Sequence, residues 1–168
     1  MAAYYGDIDR YARLRRPKMI PTELNCIIRG IYHNTMFAKW WSLHADIEDH
    51  RIRAAINARF IMNNDLSRIT ADTPDSDLPY SVWYPALARW QTDVELARRK
   101  PSMKQSVARA CIVADYQSVY DRLDAEPDSP LMAEARQSPN PHYLRDLERK
   151  AAERGGVTGD DVYIPGWM

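Results

Sequence analysis

Cysteine, glycine and long apolar runs are all scarce in this chain of 168 residues. Its two cysteines, Cys26 and Cys111, lie in the apolar helical segments LNCII and ARACIV. Small buried residues are typical of such positions, so the sequence argues against a disulfide framework and indicates a reducing compartment. The six glycines are scattered. None of them forms a P-loop, a G-x-G-x-x-G turn or a G-x-S-x-G elbow, which argues against nucleotide-binding and serine-hydrolase sites.

Net charge and membrane-length segments are also missing. Lys plus Arg and Asp plus Glu number 23 each, so no global field directs the protein to nucleic acid or to an anionic membrane. The opening MAAYYGDIDRYARLRR has no apolar core of signal-peptide length. No later run approaches the ~20 residues that a membrane helix needs. We therefore expect a soluble protein of the cytoplasm or nucleus.

What the sequence does contain is helical periodicity along nearly its whole length. With 168 residues, 45 % of them hydrophobic, the chain is long enough to bury the core of one compact domain. The helical periodicity predicts that this domain is all-α. Ser129 and Pro130 predict the start of a helix that runs through Ala135, and a last helix ends at Gly155 and Gly156. The predicted helices cover 2–15, 24–43 with Thr22 as N-cap, 45–61, 81–99 with Pro85 in the first turn, 104–123, 129–135 and 142–154.

The chain divides into two halves of related sequence. The acidic TADTPDSDLP, residues 70–79, indicates a loop between a first half, 1–69, and a second half, 80–156, with an extended tail at 157–168. At an offset of 84 positions, RRPKMIPTELNCIIRGIYH matches RKPSMKQSVARACIVADYQ at Arg, Pro, Met, Ile and Tyr. Such recurrence predicts a stack of helical hairpins, an α-solenoid in one continuous domain. The alternative is a chance match between amphipathic helices.

Three segments resemble a known repeat family. AAYYGDIDRYARL (2–14) is similar to the inner-to-outer helix stretch of an ankyrin repeat, and SPLMAEARQSPNPHYLRDL (129–147) resembles its Thr-Pro-Leu-His start. ACIVADYQSVYDRL (110–123) is a third partial match. The chain thus resembles the degenerate, divergent ankyrin-repeat proteins of filamentous fungi. The resemblance implies a non-catalytic scaffold that binds other proteins. Because the chain begins inside a predicted helix, a fragment of a larger repeat protein is a further hypothesis.

Aromatic and basic residues are the candidates for a protein-binding surface. Trp40 and Trp41 are neighbours that point about 100° apart on a helix, so at least one should leave the core. Exposed tryptophans on a rigid scaffold are typical of interface hot spots, although core packing is the alternative for each ring. Basic clusters occur in both halves and suit an acidic protein partner better than nucleic acid. Their alternative explanation is the helix dipole. The predicted binding residues are Trp40, Trp41, Trp83, Trp90, Arg15, Arg16, Arg98 and Arg99.

A competing hypothesis rests on HADIEDH, residues 44–50, the densest group of possible metal ligands. On a helix Asp46 and His50 would share a face, and a carboxylate and an imidazole could hold a divalent ion. This would make a small metal-assisted or acid/base hydrolase that uses His33, His44, Asp46 and His50. The alternative is a solvated face of ion pairs. Since no HExxH or CxxC spacing is present, we expect no cofactor and favour binding over catalysis.

Overall fold

The computed structural model describes residues 1–15, 18–44 and 47–157, and the regular structure in these ranges is helical. The all-α prediction is confirmed for them, since no β-strand occurs in the described residues. No helix in the same ranges is long and apolar enough to cross a membrane. The helices are α1 (Ala2–Tyr5), α2 (Ile8–Leu14), α3 (Pro21–His33), α4 (Thr35–Ser42), α5 (His50–Met62), α6 (Trp90–Arg99), α7 (Lys104–Ala114), α8 (Gln117–Leu123), α9 (Ser129–Gln137) and α10 (Pro141–Arg154), with 3-10 turns at Asp75–Asp77 and Pro101–Met103.

Polar side chains fix the starts of five helices. Each cap accepts a hydrogen bond from a backbone N–H of the first helical turn, which satisfies a group that has no partner inside the helix. The N···O distances lie between 2.6 and 3.0 Å. At the other end of α10, Gly155 adopts the left-handed conformation with φ of 82° and closes the helix as predicted. The capping residues are Asp7, Asn34, Asp49, Asp128 and Asn140.

Three predicted helices are interrupted, and in each case the break lies at a residue suited to a cap. Gly6, with φ of 68°, separates α1 from α2. Asn34 separates α3 from α4 because its side chain accepts from the backbone N–H of Phe37. Asp115, with φ of 54°, separates α7 from α8. The periodic pattern continues through all three positions, so periodicity alone does not reveal them.

Other predicted helix starts are wrong by several residues. Helix α3 begins at Pro21, before the expected cap Thr22. Helix α6 begins only at Trp90, because residues 80–89 form an irregular segment around Pro85. The residue before a proline rarely adopts the helical backbone conformation, since it would clash with the proline ring. This segment packs on both halves of the molecule, since Tyr32 on α3 donates its hydroxyl to the Ser81 carbonyl at 3.3 Å.

The core consists of two hydrophobic clusters. The first joins buried residues of α1 to α5, between Ala2 and Met62. The second joins the last turn of α5, at Ile61, to α6 through α10 and ends at Leu147. Helix α5 therefore belongs to both clusters. The change of cluster lies close to the predicted boundary at residue 69, whereas the repeat relation between the halves stays a prediction. Most of the predicted tail, residues 158–168, lies outside the described residues.

Helices α1 and α3 pack with their backbones in close contact. Gly30 on α3 makes this possible, because a Cβ atom at this position would lie 2.0 Å from the carbonyl oxygen of Ala3 and 3.0 Å from the ring of Phe37. Backbone atoms cannot move aside as a flexible side chain can. The first cluster thus depends on a residue without a side chain at Gly30.

We expect Gly30→Ala to lower the free energy of unfolding by about 1–3 kcal/mol, because the added methyl group overpacks the α1–α3 contact. The gain in helix propensity of about 1 kcal/mol is too small to offset the displacement of α1. Urea denaturation followed by circular dichroism measures the change. The control is Ser118→Ala at an exposed position of α8. A denaturation midpoint of Gly30→Ala as high as that of the control would contradict the close approach of α1 and α3.

Candidate protein-binding groove

Helix α6 presents an apolar stripe to solvent. Trp90, Val94 and Ala97 recur at spacings of four and three residues and so share one face, and Pro101 continues it into the following turn. Trp90 is 48 % exposed and Val94 37 % exposed. The opposite face of α6, which carries Leu96, is buried in the second cluster. One face of α6 therefore holds the fold together while the other offers apolar surface.

A groove of about 310 Å³ runs between this stripe and α8. On the α8 side its wall consists of Val119 and Leu123, which also pack on the second core cluster. Basic side chains from three elements stand around this apolar floor. We call this site the α6–α8 groove, and its lining residues are Val94, Ala97, Arg98, Pro101, Lys104, Val119, Arg122 and Leu123.

The basic residues of the groove differ in how their charges are compensated. Arg98 forms two hydrogen bonds to Glu95, at 2.7 and 2.8 Å. These bonds and a further one from Arg99 lower the pKa of Glu95 to about 2. Lys104 and Arg122, in contrast, form no ion pair within the described residues. The groove therefore combines an apolar floor with two basic side chains that form no ion pair within the described residues.

A polar network holds α8 against α10. Lys150 on α10 is 7 % exposed and lies 2.9 Å from Asp146 and 3.2 Å from Asp124, the residue that follows α8. The Tyr120 hydroxyl on α8 donates to Asp146 at 3.2 Å. At the start of α10 His142 lies 2.6 Å from Asp121 in the middle of α8, and the cap residue Asn140 donates to Gln117, the first residue of α8, at 3.1 Å. The α8 wall of the groove is thus held against α10 at both of its ends.

The four predicted tryptophans do not form one surface. Trp41 is 2 % exposed, because the inner face of α4 places it against Tyr11 and Phe37. The prediction that Trp41 contributes to a binding surface is therefore wrong. Trp40 is half-buried and lies parallel to Phe37, with ring centroids 6.0 Å apart. Trp83 is half-buried under the second cluster, 5.0 Å from the guanidinium of Arg109. Trp90 is the exposed one, on the α6 stripe.

The predicted arginines fall on different parts of the molecule. Arg15 is exposed, and its guanidinium lies 5.5 Å from the ring centre of Trp41 in the first half. Arg98 lines the α6–α8 groove. Arg99 turns away from the groove, since it donates to the Leu66 carbonyl at 3.1 Å. Arg16 lies outside the described residues. A continuous basic edge across both halves stays a prediction.

The expected helical metal site at HADIEDH is wrong in its geometry. Residues 47–49 are not helical, and Asp49 caps α5 while it pairs with Arg51 at 2.7 Å. His50 is the first residue of α5, and Asp46 lies outside the described residues. His44 donates through Nδ1 to the Trp40 carbonyl at 2.9 Å.

His33 lies apart from the HADIEDH segment, with its ring centroid 5.4 Å from that of Tyr84. Its pKa is lowered by burial and by the charges of Arg29 and Arg59. In the part of the chain that the structure describes, no three His, Cys, Asp or Glu side chains are grouped to hold a metal ion. The hydrolase hypothesis therefore has no assembled site among these residues.

The groove lies in the part of the chain that resembles a protein family. Residues 83–161 match the family described as the YKP1 C-terminal domain. Over 153 residues the chain is 23 % identical to the uncharacterised protein 1 of killer plasmid pGKl-2 from Kluyveromyces lactis. The match covers 91 % of this chain and 66 % of that relative, slightly under two thirds of its length. No solved structure matches the chain. Neither match is described as an ankyrin repeat, and that resemblance stays a prediction.

The distinction between buried Trp41 and exposed Trp90 leads to a paired prediction. Trp41→Ala should lower the free energy of unfolding by about 3–5 kcal/mol, because it opens a cavity in the first cluster. Trp90→Ala, the matched change of an exposed ring, should lower it by less than about 1 kcal/mol. Denaturation followed by circular dichroism compares the two, and equal losses would contradict the assignment of Trp90 to a free surface.

Asp93 is a buried acid on the inner face of α6. Its side chain is 1 % exposed, and its Oδ1 atom has no hydrogen-bond partner among the described residues. Burial raises the pKa of Asp93 to about 7. Burial and the nearby Asp93 carboxylate also raise the pKa of the Cys111 thiol, and the predicted burial of this cysteine is confirmed.

The difference in unfolding free energy between Asp93→Asn and the wild type should grow as the pH rises from 4 to 7. Over this range the unfolded wild-type carboxyl, with an ordinary pKa of 3.8, loses its proton while the folded one keeps it. The wild type therefore loses stability relative to the uncharged amide, by about 4 kcal/mol at pH 7. Urea titrations at several pH values measure this difference, with exposed Asp72→Asn as the control. A difference independent of pH would show that Asp93 is ionised in the fold.

Proposed function

We propose that this chain is a non-catalytic protein-interaction module that binds an acidic, apolar segment of a partner protein in the α6–α8 groove. The observation that carries the proposal is the exposed stripe of Trp90 and Val94, which leads into a groove with two basic residues that form no ion pair within the described residues. Apolar area supplies binding energy once it leaves water, and aromatic anchors such as Trp90 typically dominate it. Charges at the rim add specificity and orient the partner.

The groove suits a peptide segment better than a small substrate. Its floor is apolar, its volume accommodates a few side chains, and its polar groups are cations that stand at the rim. The family-matched region 83–161 includes every lining residue. Carboxylates of the bound segment would pair with Lys104 and Arg122, while apolar side chains would cover Val94 and Leu123.

We also propose that α2–α4 and α6–α8 are copies of one helical unit within an ankyrin-like scaffold. The offset of 84 positions brings α2 onto α6, α3 onto α7 and α4 onto α8. The matched tyrosines Tyr32 and Tyr116 both donate their hydroxyls to carbonyls of the segment 80–89, at 3.3 and 3.1 Å. This shared contact supports a common origin of the two units, in which the connecting segment lies against both.

Selection from a displayed library of random dodecapeptides tests the binding function. Peptides selected on the wild-type chain should be rich in Asp, Glu and apolar residues. Val94→Asp and the double change Lys104→Glu, Arg122→Glu should each weaken their binding about 10-fold or more, which corresponds to about 1.4 kcal/mol. Fluorescence anisotropy with a labelled selected peptide measures the affinities.

The control for this experiment is the double change Arg10→Glu, Arg13→Glu on exposed α2, which reverses the same number of charges away from the groove. Circular dichroism verifies that each variant is folded. If the selected peptides bound the groove variants as tightly as the control, the α6–α8 groove would not be the binding site.

A further inference from the structure

Helical elements form the lining of the α6–α8 groove. The stripe on α6 contributes Val94 and Ala97, and Pro101 continues it in the 3-10 turn before α7. These three residues recur at spacings of three and four positions, the spacing by which helices pack on one another. Val119 and Leu123, four positions apart on α8, line the opposite wall. The groove therefore lies between two apolar rows of helical spacing.

The walls of the groove offer side chains rather than backbone partners. Within a helix the backbone N–H and C=O groups bond to one another along the chain, so a helical wall presents mainly side chains. In the described residues no β-strand supplies an edge to which an extended peptide could add. An extended peptide in the groove would leave N–H and C=O groups against apolar side chains, and a buried backbone group without a partner is costly. A helical peptide avoids this cost because it bonds these groups within itself.

The length and the charges of the groove also suit a helix. Helix α6 has ten residues, which at 1.5 Å per residue form a wall roughly 15 Å long, the length of about three helical turns. Ala97 in the stripe is small, and small side chains at a contact let two helix axes approach closely. Lys104 and Arg122 line the same groove and form no ion pair within the described residues. Acidic residues beside the apolar row of a bound helix would pair with them.

We infer that the partner segment binds the α6–α8 groove as an amphipathic α-helix, with apolar side chains at spacings of three and four residues and with Asp or Glu beside them. This inference rests on the proposed function of the groove, which holds for a helical and for an extended segment alike. A helix of about three turns is only marginally stable in water, so a peptide of this length becomes helical as it binds. The groove thus recognises the spacing of apolar residues in its partner as well as their charge pattern.

Proline substitution in the library-selected dodecapeptides tests the inference. The peptides used are those that bind the wild type and lose affinity for Val94→Asp and for Lys104→Glu, Arg122→Glu. Alanine variants first identify a central position at which the side chain does not contribute to the affinity. Proline at that position should weaken binding about 10-fold or more, because proline inside a helix removes a hydrogen bond and clashes with the preceding turn. An extended segment tolerates proline, so the alanine peptide is the matched control.

Two measurements on the wild-type chain decide the outcome. Fluorescence anisotropy compares the affinities of the proline and alanine peptides. Carbon chemical shifts of the isotopically labelled alanine peptide report its backbone conformation, and we expect a helix in the bound peptide that is absent from the free one.

Equal affinities of the proline and alanine peptides, or an extended backbone in the bound peptide, would overturn the inference while the groove remained a partner site. If no selected peptide loses affinity for the groove variants, the proposed function fails and the inference fails with it. The two failures are distinguished by whether a groove-dependent peptide exists.

Discussion

The second half of the molecule depends on the ion pairs that the buried ammonium group of Lys150 forms with Asp146 and Asp124. This ammonium group lies within 3.2 Å of carboxylates from both Asp146 and Asp124, and 5.7 Å from the ring of Tyr120. Because a buried charge without a partner is costly, the network is stable only when α8 and α10 hold one relative position. This position sets the wall formed by Val119 and Leu123. The shape of the groove thus follows from a charge pair on its far side.

The two faces of α6 lie in different environments. Its inner face buries Leu96 and the acid Asp93 in the second cluster. Its outer face leaves Trp90 and Val94 in contact with solvent. Of these two side chains, Val94 lines the groove together with Lys104 and Arg122.

Sequence periodicity predicted the helical class well but the helix ends unevenly. The last helix was predicted to within one residue of its observed bounds, and its end was found because Gly155 is a strong local signal for a stop. The breaks at Asn34 and Asp115 were missed, since both residues occur inside helices as well as at caps. Whether such a residue ends a helix depends on the packing of the helix that follows.

The candidate site was predictable only in part. Trp90 and Arg98 were correctly placed on one helix of the second half, and the apolar spacing of Trp90, Val94 and Ala97 could have indicated the stripe. Arg122 and Leu123 could not be found in this way, because their role depends on the packing of α8 beside α6, more than twenty positions away in the chain. Similarly, Trp40 and Trp41 are neighbours in sequence, and only the position of α4 against Tyr11 makes one of them core. Helices and their caps follow from interactions between residues a few positions apart in the sequence. Grooves and burial arise instead from contacts between residues that are far apart in the sequence and that the tertiary fold brings together.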